Sequence, residues 1–159
     1  MDNDDLGGFM RAITLGEILG HVEHFEQSLG DYYANLCRET THEGVRLLTD
    51  YMSRHSLRIH ELLEKVPADT RKMLCSTPIP YMPELPGENN IKQAHLPANP
   101  TASEVLDAAI QFDDCLVKMY HSVADQAVSQ EIKNFFEYLI RDMETDEIQL
   151  KKIKAMDYF

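Results

Sequence analysis

The sequence predicts an all-α fold: a four-helix bundle of two antiparallel helical hairpins joined by a long proline-rich crossover. Three observations carry this. Four long segments repeat apolar side chains in steps of three and four, the period of an amphipathic helix. The breaks within each pair of segments are short, which forces antiparallel neighbours. All seven prolines fall between Pro67 and Pro100, so the chain changes character once, in its middle.

The first helix is expected over about 9–37, after an acidic lead of seven or eight residues. Its stripe runs Ile18/Leu19, Val22, Phe25, Leu29, Tyr32/Tyr33, Leu36, and Glu26 falls inside it. Gly16, Gly20 and Gly30 each weaken such a helix by up to about 1 kcal/mol relative to alanine, so an end or a bend is expected at one of them. The second helix is expected over about 41–66, with capping residues supplied by Glu39-Thr-Thr-His-Glu. Its stripe is Val45, Leu48, Tyr51/Met52, His55, Ile59, Leu62/Leu63 and Val66, with Arg58 at the edge and His60 pointing away.

Pro67 ends that helix. Residues 68–75 are long enough for one short helix, and the remainder of 67–100 reads as a crossover with polyproline character rather than a packed element. The third helix is expected over about 101–128, capped by Thr101 or Ser103, with Val105, Ala109, Phe112, Leu116, Tyr120 and Val123 on its stripe and Asp113 among them. The fourth, about 130–154, turns Ile132, Phe135/Phe136, Leu139/Ile140, Met143, Leu150 and Ile153 inward, with Asp146 on the same face. The chain closes on Met156-Asp-Tyr-Phe, whose aromatics are expected to dock on the bundle.

The 159 residues suit one domain, 1–159, with a core that needs no staples. A formal net charge of −12 argues against nucleic-acid or anionic-membrane partners and leaves cations as candidate small ones. No apolar run approaches the length of a membrane span, and the acidic N-terminus is unlike a signal peptide. Cys37, Cys75 and Cys115 are widely spaced and odd in number, which suits a reducing, cytoplasmic setting.

The two hairpins echo each other. An offset of 87 matches Phe25 with Phe112, Glu26 with Asp113, Leu29 with Leu116 and Tyr33 with Tyr120. An offset of 88 matches Leu48 with Phe136, His55 with Met143, Arg58 with Asp146 and Leu62 with Leu150. Shared apolar phase is cheap, but a carboxylate on an apolar stripe is costly and seldom placed twice by accident.

With the segments Ala108–Tyr120 and Phe135–Asp146, this arrangement resembles the ferritin-like superfamily, closest to its rubrerythrin-type bundles. The resemblance implies one Glu on each of the first and third helices and a Glu-x-x-His pair on each of the second and fourth, together holding two iron or manganese ions. Carried over, Glu26 keeps its Glu and Asp113 is a shortened acid. The two pairs read His55-x-x-Arg58 and Met143-x-x-Asp146, so neither Glu-x-x-His survives. Two close cations need bridging carboxylates, which Met143 cannot supply. The degenerate site is therefore expected to lack the standard di-iron centre and to carry no cofactor, with Arg58 in the metal's place between Glu26, Asp113 and Asp146, and His55 beside it. The alternative is a single Fe, Mn or Zn ion on Glu26, His55, Asp113 and Asp146, serving peroxide or oxygen redox chemistry.

Tyr33 and Tyr120 are expected in support, as core aromatics whose hydroxyls bond the acids. Glu17, His21 and His24 could hold a surface metal by spacing but read better as a solvated face. Cys115 reads as a buried apolar cysteine. The function expected is a non-catalytic binding, regulatory or structural role. By resemblance the chain is expected to form a homodimer, and the crossover residues Ile79, Tyr81, Met82 and Leu85 offer apolar surface.

Overall fold

Thr14 sets the start of the first long helix. Its hydroxyl accepts the Glu17 backbone N–H at 3.2 Å while the Glu17 carboxylate accepts the Thr14 N–H, a reciprocal capping box that fixes the helix at Leu15, later than apolar spacing alone suggests. The computed structural model describes residues 13–94 and 96–156; the acidic lead, Phe9 and the terminal Tyr158 and Phe159 lie outside them. Among the described residues the helices are α1 (Leu15–Glu39), α2 (Glu43–Glu64), α3 (Ala68–Cys75), α4 (Glu88–Gln93), α5 (Ala102–Asp125) and α6 (Gln130–Met156).

Both hairpins form as expected. α1 packs along α2, and α5 along α6. A second capping box, Thr101 with Glu104, opens α5, and the Ser129 hydroxyl accepts from the Ile132 N–H to open α6. Gly30 does not end α1, which runs on to Glu39. It lets α2 come close: a Cβ there would sit 3.5 Å from the Leu57 side chain, and Ser53 Oγ donates to the Gly30 carbonyl at 3.0 Å.

The crossover fixes the helix directions. The backbone at 77–79 pairs with 13–15, where α1 begins and α2 ends. The Gln126 side chain then exchanges two hydrogen bonds with the Tyr81 backbone, placing the end of α5 at this same pole. Near the far pole Thr40 Oγ1 reaches Asn99 Oδ1 at 3.5 Å, just before α5 begins. The chain therefore climbs the whole bundle between Tyr81 and Asn99. As a result α2 and α5 run parallel, with α1 and α6 opposed to them.

The crossover is more packed than its composition suggests. Leu74 and Ile79 are buried in the core, and α4 lies against α1. The proline rings themselves cover apolar surface: Pro83 and Pro86 are buried. No helix among the described residues is long and apolar enough to cross a membrane.

Candidate functional site: a buried acid cluster

Halfway along the bundle each long helix points one ionisable side chain inward. α1 supplies Glu26, α2 His55, α5 Asp113 and α6 Asp146, the four residues singled out from the sequence. The three acids are only 3%, 6% and 7% exposed, a placement that costs several kcal/mol per bare charge unless neighbours answer it.

His55 answers Asp146. Its Nε2 lies 3.3 Å from Asp146 Oδ1, with the ring only 12% exposed. Burial alone pulls the imidazole down, but Asp146 close beside it, helped by the Glu26 charge, raises it above its usual value. Burial pushes Asp146 up, yet its hydrogen bonds with His55 and Asp113 and the charges of His55 and Arg58 leave it lowered.

Asp113 takes the opposite role. Burial, the carboxyl–carboxyl hydrogen bond with Asp146 and that neighbour's charge hold it far above the usual carboxylate range. Two buried carboxylates in contact cannot both ionise, so one keeps a proton. A protonated Asp113 would offer Asp146 an O–H donor in addition to the His55 imidazole. Burial also pushes Glu26 up to about 7, countered in part by the His55 charge and a hydrogen bond from Ser56.

Ser56 joins the site without having been expected there. It is buried beside His55 on the inner face of α2, and a small hydroxyl on an apolar stripe is the signal that points to it. Tyr33 and Tyr120 are both buried. Burial, then the Asp113 and Glu26 charges, raise the Tyr33 phenol; burial and Glu26 raise Tyr120.

Arg58 is placed differently from the expectation. It is exposed, and it reaches the cluster only from outside, with its guanidinium nitrogen 3.3 Å from His55 Nδ1. Three residues along α2 from His55, it falls on the solvent side of the stripe, where its charge stays hydrated. The imidazole of His55 stands beside Asp146 where the arginine was expected. Met143 lies buried in the apolar core as expected.

The other candidates fall elsewhere. Glu17 serves the α1 cap, and among the described residues no three His, Cys, Asp or Glu side chains gather as a metal ion requires. Cys115 is half-buried, its thiol raised by burial, with Asn90 Nδ2 at 4.0 Å. Three buried atoms of the cluster, His55 Nε2, Asp113 Oδ2 and Asp146 Oδ2, lack a well-aligned hydrogen-bond partner. The His55–Asp146 contact has ion-pair distance without hydrogen-bond alignment.

No protein-family model and no curated protein matches the chain. Among solved structures, the fold is similar to that of a Thermotoga maritima protein described as a ferritin-like diiron-carboxylate protein. The two share 19% identity and a TM-score of 0.55, over 91% of this chain and 97% of that one. The fold is thus ferritin-like. A di-metal centre does not fit the residues present: the positions that the resemblance gives to the two bridging carboxylates hold His55 and the apolar core residue Met143, and Arg58 lies outside.

Proposed function

We propose that this chain is a ferritin-like bundle without the standard di-iron centre, its middle held by a proton-sharing Asp113–Asp146 pair with His55 and Glu26. Its role is non-catalytic: binding, regulatory or structural. The carrying observation is the burial of Glu26, Asp113 and Asp146 together in the bundle centre, with His55 Nε2 3.3 Å from Asp146 Oδ1. Hard cations need ionised carboxylates, and burial with Asp146 as neighbour favours the protonated form of Asp113 instead.

One observation favours a second reading. The unaligned atoms His55 Nε2, Asp113 Oδ2 and Asp146 Oδ2, with Glu26 nearby, are the donors a single Fe, Mn or Zn ion would use. Metal analysis of protein purified without a chelating tag separates the two. The first reading expects substoichiometric metal and no uptake of added Fe(II), Mn(II) or Zn(II). Stoichiometric metal that disappears in both Glu26→Ala and Asp113→Ala would replace it with the second.

A further inference from the structure

A large cavity lies apart from the acid cluster, between α1 and the crossover. It is open to solvent on one side and holds about 660 Å³, within the range of small-molecule sites. One wall is a single stripe of α1. Ser28, Asp31, Tyr32 and Asn35 follow at steps of three and four, so their side chains share a face. The other wall comes from α4 and the chain just after it, with Ile91 and Leu96 half-buried and Lys92 exposed.

The walls combine an apolar surface with a few polar groups. Ile91, Leu96 and the ring of Tyr32 are partly buried apolar groups packed against the core, and they give a ligand something to lie on. Burial raises the Tyr32 phenol, so at neutral pH it keeps its proton and can donate. The Asn35 carbonyl oxygen accepts from the Arg38 guanidinium, which leaves the Asn35 N–H₂ for another partner. Ser28 adds a half-buried hydroxyl.

The charges identify the class of ligand. Asp31 and Lys92 line the same cavity with opposite signs, yet among the described residues neither makes an ion pair, with the other or with any third side chain. Exposed acids and bases elsewhere on the long helices do pair, as Asp50 with Arg54 and Asp114 with Lys118. The next turn of α1 adds one exposed charge of each sign, Arg38 and Glu39, and the turn before Ser28 presents the exposed His24. The described charges around the cavity therefore balance, on a chain that carries −12 overall. A cavity lined by acids alone would select a cation; this one answers a molecule bearing both signs.

We infer that the cavity binds a small amphipathic zwitterion, an apolar amino acid or a short apolar peptide. Its ammonium meets Asp31, its carboxylate meets Lys92 and the Asn35 amide, and its apolar body lies on Ile91, Leu96 and Tyr32. None of these residues belongs to the Glu26, His55, Asp113 and Asp146 cluster, so the inference stands whether that cluster holds a proton or an ion.

Titration calorimetry on the full chain tests it with four probes. L-phenylalanine and the dipeptide Phe-Leu carry both charges; phenethylamine lacks the carboxylate and hydrocinnamate lacks the amine. One or both zwitterions are expected to bind with a Kd below about 10 mM, and which binds tighter separates amino acid from peptide. Each single-charge probe should bind at least tenfold more weakly. Asp31→Asn and Lys92→Gln, both at exposed positions, should keep the circular dichroism of wild type and each weaken the zwitterion at least tenfold. Lys118→Gln, which lies outside this cavity, should leave binding unchanged. The inference is overturned when neither zwitterion binds, or when a single-charge probe comes within tenfold of them. It is equally overturned when either lining substitution leaves affinity within tenfold of wild type, or when Lys118→Gln weakens binding as much.

Discussion

His55 Nε2 stands 3.3 Å from Asp146 Oδ1, an ion pair that joins the second and fourth long helices at the centre of the bundle. Asp113, buried in the same cluster, is the other group that lowers Asp146. One carboxylate thus lies between an imidazole that tends to gain a proton and a carboxyl that keeps one. Most of the expected behaviour of the protein follows from that order.

Asp113→Asn should be tolerated, because the amide N–H₂ replaces the protonated carboxyl as donor to Asp146. The folded wild type must hold a proton on Asp113 that the unfolded chain releases, and the variant need not. Its stability relative to wild type should therefore rise between pH 4 and pH 8. Asp113→Ala instead removes the donor and leaves Asp146 with His55 alone, costing about 1–3 kcal/mol. Urea denaturation of the three proteins checks both statements.

The pH dependence of stability has a defined sign. Glu26, at about 7 in the fold against an ordinary 4.5, holds a proton that the unfolded chain has lost, so stability falls as pH rises between those values. The slope from such a group approaches about 1.4 kcal/mol per pH unit. Asp113, raised, acts in the same direction from its ordinary 3.8 upward. His55, raised, stabilises fully below its ordinary 6.5, and that contribution is lost as pH climbs through its folded value. Asp146, lowered, stabilises above its ordinary 3.8 and loses this only as acid drives the pH down through its folded value. Unfolding free energy should therefore decline from pH 5 to pH 8. Glu26→Gln should flatten the decline between pH 5 and pH 7, and an unchanged slope would remove Glu26 from the account.

Arg58→Met should cost less than about 1 kcal/mol, because an exposed guanidinium touching one imidazole contributes little. A loss of about 3–5 kcal/mol is what removing a buried cation from among acids would give. Thermal and urea unfolding distinguish the two.

Two glycines of α1 should respond oppositely to alanine. A methyl on Gly16 would lie 2.9 Å from the Cys75 Cα, backbone that cannot move aside cheaply, so Gly16→Ala should destabilise by about 1–3 kcal/mol. Gly20 faces open space, and Gly20→Ala should stabilise by up to about 1 kcal/mol through helix propensity. Comparable melting shifts of the same sign would contradict this packing of α3 on α1.

Helical periodicity carried much of the structure in the sequence. It placed four helices, their short connections, and Glu26, His55, Asp113 and Asp146 on inward faces, because burying an apolar stripe leaves little freedom of phase. What it left open was decided by single contacts. The α1 start depends on the Thr14–Glu17 capping box, and the apolar residues of α1 extend past neither side of it in a way that reveals the boundary. Arg58 sits at the stripe edge, where a long side chain can turn either in or out, and hydration of its charge turned it out. Ser56 is too small to register in an apolar pattern. Ile79, Pro83 and Pro86 are buried through the path of the crossover, which local composition does not encode.

The proton on Asp113 is the central claim, and infrared spectroscopy tests it most directly. Spectra of wild type and Asp113→Asn would be compared at about pH 8.5, above the titration of Glu26 at about 7. The account predicts a protonated-carboxyl C=O band in the wild type that is missing from Asp113→Asn. A wild-type spectrum with carboxylate bands alone, and no difference from the variant in the protonated-carboxyl region, would contradict it.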